Sequence, residues 1–219
     1  MLPDRGVGVS DFEYFFSFFG LLLGLTVAEV AVRFADAIDG HRRRPIGLLT
    51  PLLAIFVLLD ISSFWLFTWS ARDIILINWP TIFVALVVAL LYFLSAALVF
   101  PRAPDDWLSL DENFWARKRY VLGGILTVNV ILHLLLFTRA VPKITEYWFF
   151  VHKLIYFGPV IWAWKTNKRW AVIVALLLAI GSYGLEYSNV LPTSEWGIKL
   201  GLDGTIADSA STSGATVPR

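Results

Sequence analysis

Residues 20–40 read GLLLGLTVAEVAVRFADAIDG, a stretch that begins as a membrane helix and then places Glu29, Arg33 and Asp36 within eight residues. At about 100° per residue these three charges share one helical face with Thr26. Gly20, Gly24, Ala28, Ala31 and Ala35 fall on nearly the opposite face, a small-xxx-small ridge of the kind that lets helices approach closely in lipid. A helix with a close-packing ridge on one side and charge on the other has little surface left for acyl chains. The pattern therefore predicts a first span that is central in a bundle, its charges turned toward protein or a wet cavity.

The rest of the chain has the composition such a bundle needs. Of 219 residues, 58% are hydrophobic and 16% charged, against about 45–50% and about 25% in soluble domains. That much apolar surface exceeds what a water-soluble core of this size can bury, so a bilayer must solvate it. The net charge of +1 gives no support to nucleic-acid binding, and the absence of cysteine excludes disulfides and thiolate chemistry.

A helix needs about 20 residues to cross the hydrocarbon, and six stretches qualify: 12–38, 46–70, 78–100, 117–139, 145–164 and 169–188. The expected fold is thus all-α, a six-helix transmembrane domain over residues 1–190. A polar extracytoplasmic tail follows over 191–219, with low-complexity sequence from about 203 that predicts disorder. Residues 109–119, SLDENFWARKR, offer Ser109 and Glu112 as a capping box, either for a short interfacial helix or for the run-in to the fourth span. The segment before the first span carries Asp4, Asp11 and Glu13 against Arg5, the wrong sign for a signal-peptide n-region.

Orientation follows from the basic residues of the short loops. Arg42, Arg43 and Arg44 lie after span one, Arg102, Arg117, Lys118 and Arg119 after span three, and Lys165, Lys168 and Arg169 after span five. The opposite side holds only Arg5, Arg72, Arg139, Lys143, Lys199 and Arg219. The richly basic side is read as cytoplasmic, which sends both termini outward.

Ionisable and polar groups at membrane depth are the candidates for function. Glu29 and Arg33 sit at i, i+4 and can pair within their helix, either fixing its packing or handling ions or protons. Asp60 lies near the middle of span two with Ser63 one turn on; it is a proton site or a hydrogen-bonded packing group. Asn129 and His133 share a face of span four, and His152 and Lys153 are adjacent in span five. His133 and His152 stand at matching depth, so a haem b held by both is one further reading, although a polar cluster with Lys153 and Asp60 or Asn129 explains them more simply. No other metal site is indicated. Neither a Gly-rich phosphate loop nor HExxH or GxSxG occurs, so no enzyme chemistry is indicated. Gly20, Gly24 and Ala28 in span one, and Gly181 and Gly184 in span six, read as helix-packing residues.

Three short motifs, SFFGLLLGLTVAE at 17–29, FP at 100–101 and FWARKRY at 114–120, resemble a group of bacterial polytopic inner-membrane proteins. In that group a Gly-containing first helix ends in an acidic residue. The resemblance spans about the first 120 residues; it implies a bacterial inner-membrane location and no particular activity. Together these readings lead to a small channel or transporter subunit for protons or small ions, working in the lipid bilayer as a homo-oligomer or with membrane-complex partners. The alternative is a non-catalytic accessory or scaffold subunit of a larger membrane complex, with a haem-bearing electron-transfer protein third.

Overall fold

A computed structural model describes residues 10–40, 45–101 and 109–188, together with Pro192 and Ser194. The basic loop with His41 and Arg42–Arg44, Arg102, and nearly all of the polar tail from 191, including the stretch from 203 expected to be disordered, lie outside the described residues. Among the described residues six helices form: α1 (Asp11–Asp39), α2 (Leu49–Ser70), α3 (Trp79–Val99), α4 (Leu110–Phe137), α5 (Tyr147–Lys165) and α6 (Arg169–Tyr187). No strand occurs among the described residues. All helices but α5 are long and apolar enough to cross a membrane, as a multi-pass membrane protein requires. The shortfall in α5 is compositional, because His152, Lys153 and several Trp and Tyr residues lower its hydropathy.

Polar residues at the helix starts set the boundaries. Ser10 and Glu13 form a reciprocal capping box on α1, with Ser10 N–H to Glu13 Oε2 at 2.8 Å and Glu13 N–H to Ser10 Oγ at 3.2 Å. Asn78 caps α3 by accepting from Thr81 N–H at 3.0 Å, and Pro80 occupies the first turn, where a missing N–H costs nothing. Ser109 accepts from Glu112 N–H at 3.3 Å and starts α4 at Leu110, so residues 110–119 are the first turns of α4 rather than a separate interfacial helix.

Successive helices run in opposite directions. The upper end of the bundle gathers the starts of α1, α3 and α5, and the lower end those of α2, α4 and α6. At the upper end Phe12 meets Trp69 at 6.0 Å and Phe137 meets Phe149 at 6.2 Å between ring centroids. At the lower end the Thr50 hydroxyl donates to Leu110 O at 2.9 Å, and Arg169 reaches Asp111 at 3.0 Å. Gly47 has φ 68° and its α-carbon lies so close to the Asp111 carboxylate that a Cβ would collide with it. Glycine is required there on both counts.

The expectation for α1 is corrected by its neighbours. α2 contacts α1, α3, α4 and α6, whereas α1 packs on α2 and α3 alone among the described helices. It is a peripheral helix, and α2 holds the centre. The reason lies in which face is apolar and bulky: Phe15, Phe19, Leu23 and Val30 turn inward and are buried, carrying Thr26 with them. The small-residue ridge consequently turns out. Gly20 is buried, and a Cβ there would stand 3.1 Å from the Trp65 ring, but Gly24, Ala28, Ala31 and Ala35 are exposed.

Candidate functional site

Five helices converge on one carboxylate. Asp60, on α2, is 4% exposed and lies among apolar residues of the core. Its Oδ2 accepts the Tyr92 hydroxyl of α3 at 2.8 Å. Its Oδ1 accepts the hydroxyls of Tyr156 from α5 at 2.5 Å and Tyr183 from α6 at 2.7 Å. Asn129 of α4 completes the set: its Nδ2 lies 3.5 Å from Asp60 Oδ1, 2.9 Å from Tyr156 Oη and 3.1 Å from Ile125 O. An ionised carboxylate has about four acceptor positions, and this one draws four donors from four different helices. Tyr156 and Tyr183 also meet edge-on, with ring centroids 5.9 Å apart.

The local sequence explains why those side chains meet. Tyr92 and Tyr156 stand in the middle of their helices, away from the membrane-interface position that Tyr usually takes, and Tyr183 one turn inside the end of α6. A phenol buried at that depth needs a partner for its hydroxyl, and in an apolar bundle the Asp60 carboxylate supplies it.

The surroundings differ above and below. One turn toward the lower end, Phe56 and Val57 are fully buried, with Ile125, Leu122, Val160, Leu176 and Ala179 closing the same layer. Phe56 lies against the Tyr183 ring at 6.3 Å. That layer is dry. One turn toward the upper end α4, α5 and α6 contribute polar side chains, since His133 follows Asn129, Lys153 precedes Tyr156 and Glu186 follows Tyr183, whereas α2 and α3 contribute Phe64 and Val88. Lys153 interacts electrostatically with both His133 and Glu186, and its ammonium sits 5.5 Å from the Phe149 ring. The His133 Nδ1–H donates to Asn129 O at 2.7 Å, which leaves Nε2 as the free lone pair, buried without a partner.

The structure thus brings Asp60, Asn129, His133 and Lys153 into one region and adds Tyr92, Tyr156 and Tyr183, which the sequence reading missed. The available signal was the depth of Tyr92 and Tyr156 in their spans. Glu29 and Arg33 stand apart: they pair at 3.0 Å within α1, with side chains 23% and 26% exposed, on a helix that contacts none of α4, α5 and α6. His152 bonds through Nδ1 to Trp148 O at 2.6 Å and packs on the Trp148 ring, whereas His133 packs on Phe137 and Phe157. Among the described residues, no group of three or more His, Asp or Glu is placed to hold a metal. Of the residues read as packing positions, Gly20 is close-packed, while a Cβ at Gly24, Gly181 or Gly184 would meet nothing within 4 Å.

A second polar feature holds the lower end together. Lys118 is 1% exposed and donates to Ala163 O at 3.1 Å and to Thr166 O, with its ammonium 4.7 Å from the Trp115 ring. It thereby satisfies carbonyls left over at the end of α5, where a cation also suits the helix dipole. One of the basic residues that suggested the cytoplasmic side is therefore a buried cap.

No family model, curated protein or solved structure matches this chain.

Proposed function

We propose that the chain is a six-span subunit of a bacterial inner-membrane transporter for protons or small cations, with both termini outside and Asp60 as the group that takes up and releases the cargo. The observation that carries this reading is the buried Asp60 carboxylate, on which α2, α3, α4, α5 and α6 meet. An ionisable group at membrane depth demands a physical reason. A carboxylate gripped by side chains of four other helices can couple its own protonation or cation contact to their packing. The polar side chains of α4, α5 and α6 one turn above it, set against the apolar layer below, favour approach of an ion from the upper side over an open through-path, so a transporter fits better than an open channel.

The second reading, an accessory or scaffold subunit, has its own observation. All four donors come from the chain itself, as in a satisfied polar network that specifies packing. Flux measurements in proteoliposomes loaded with a pH-sensitive dye separate the two. Wild-type protein should dissipate an imposed proton or Na⁺ gradient, and Asp60→Asn protein of normal assembly should not. The double variant Glu29→Gln/Arg33→Met should retain wild-type flux. Gradients that persist with the wild-type protein would hand the reading to the accessory role.

A further inference from the structure

A pocket of about 240 Å³ opens at the upper end of the bundle, between the start of α1, the end of α2, the start of α3 and the end of α4. Phe19, Phe64 and Val88 line its deeper part, Ala85 and Leu135 its walls, and Arg139 belongs to its rim. Apart from Arg139, its lining is almost wholly apolar, and the few Thr hydroxyls in it are already committed: those of Thr68, Thr81 and Thr138 donate to the backbone carbonyls of Phe64, Leu76 and Leu135. Arg139 is exposed, and its guanidinium has no ion-pair partner among the described residues. Apolar walls under one unpaired cation complement a molecule with a hydrocarbon tail and an anionic head.

We infer that this pocket binds a free medium-chain fatty acid, the tail between α1, α2, α3 and α4 and the carboxylate on Arg139. The volume favours this over a membrane phospholipid. Ligand pockets for drug-sized molecules start at about 300 Å³, so about 240 Å³ accommodates one short chain and not a pair of long ones. Nor is the pocket isolated from the rest of the bundle. The Phe64 ring in its lining meets the Tyr92 ring edge-on at 5.5 Å, and Tyr92 in turn donates to Asp60. The inference stands independently of the transport reading, because it uses no property of Asp60.

Full-length protein in phosphatidylcholine nanodiscs, titrated with radiolabelled decanoate against empty nanodiscs, tests it. Saturable binding above the empty-disc level is expected, and decanol, which has the tail without the charge, should bind more weakly. Arg139→Gln should weaken decanoate by about tenfold, as loss of a charge-assisted contact does, and leave decanol unchanged. Ala85→Phe fills the wall and should abolish binding of both. Absence of saturable binding would overturn the inference, as would an Arg139→Gln protein that still prefers decanoate. Full displacement of decanoate by phosphatidylglycerol in the disc would assign the pocket to a phospholipid instead. If Ala85→Phe does not fold, the contrast between decanoate and decanol in Arg139→Gln decides alone.

Discussion

The Tyr183 hydroxyl donates to Asp60 Oδ1 at 2.7 Å, joining α6 to α2 across 123 positions of sequence. Tyr156 shares that oxygen, and Tyr92 holds the other. Removing the carboxylate therefore strands several buried donors together. Asp60→Ala should destabilise the bundle by about 3 kcal/mol or more, since each orphaned buried donor costs about 1–3 kcal/mol. Asp60→Asn keeps one acceptor and most of the shape, and should lose less. Denaturant unfolding of the two variants in detergent, followed by tryptophan fluorescence, should rank them in that order; equal stability would show that the tyrosines find other partners.

The shared oxygen predicts coupling between tyrosines. Tyr156→Phe and Tyr183→Phe each delete one hydroxyl without disturbing ring packing, and each should cost about 1 kcal/mol. Because both act on Oδ1 and their rings touch, the double variant should depart from the sum of the singles by more than about 0.5 kcal/mol. Tyr92, on Oδ2, should couple less to either of them. Strict additivity in a double-mutant cycle for the first pair would mean that the network does not act as a unit.

At the lower end, Lys118→Met keeps the length and apolar stem of the side chain but removes the ammonium from the end of α5. The Ala163 and Thr166 carbonyls lose a charged donor, a contact of about 1.5–3 kcal/mol. The loss should be local to α5, so hydrogen exchange ought to accelerate in its last turn before it does in α2. Uniform acceleration over all helices would argue that Lys118 ties the bundle globally.

How much of this was legible beforehand depends on which property each residue expresses. Helix number and most boundaries follow from hydropathy, and Ser109 marks the start of α4 through a local hydrogen-bond rule that Ser10 and Asn78 also obey, although only Ser109 was singled out from the sequence. The importance of Asp60 was visible because a carboxylate in mid-span is costly. Its partners were not. Tyr92, Tyr156 and Tyr183 count as aromatic filling in any composition-based reading, and only helix phase and neighbour order reveal that three hydroxyls converge. The same ignorance of neighbours misplaced α1. Its charges and its glycine ridge were both read as inward signals, whereas four bulky residues, Phe15, Phe19, Leu23 and Val30, determine its buried face.

That reversal gives the last prediction. Gly20 and Gly24 are one turn apart on α1 and look equivalent in sequence, yet a Cβ at Gly20 would stand 3.1 Å from Trp65 while one at Gly24 would meet nothing within 4 Å. Gly20→Leu therefore has to displace a tryptophan that also packs on Phe16 at 5.6 Å, and overpacking of this kind costs about 1–3 kcal/mol. Gly24→Leu adds its side chain to the outer surface of the bundle and should leave the stability of a single chain unchanged or slightly raised, since leucine also favours the helix more than glycine does. Thermal unfolding in detergent separates the two variants, and light scattering reads the particle mass alongside. A Gly24→Leu protein that stays folded but loses mass would show that the small-residue face of α1 is a contact between chains. One that unfolds like Gly20→Leu at unchanged mass would show that the face is buried within a single chain after all.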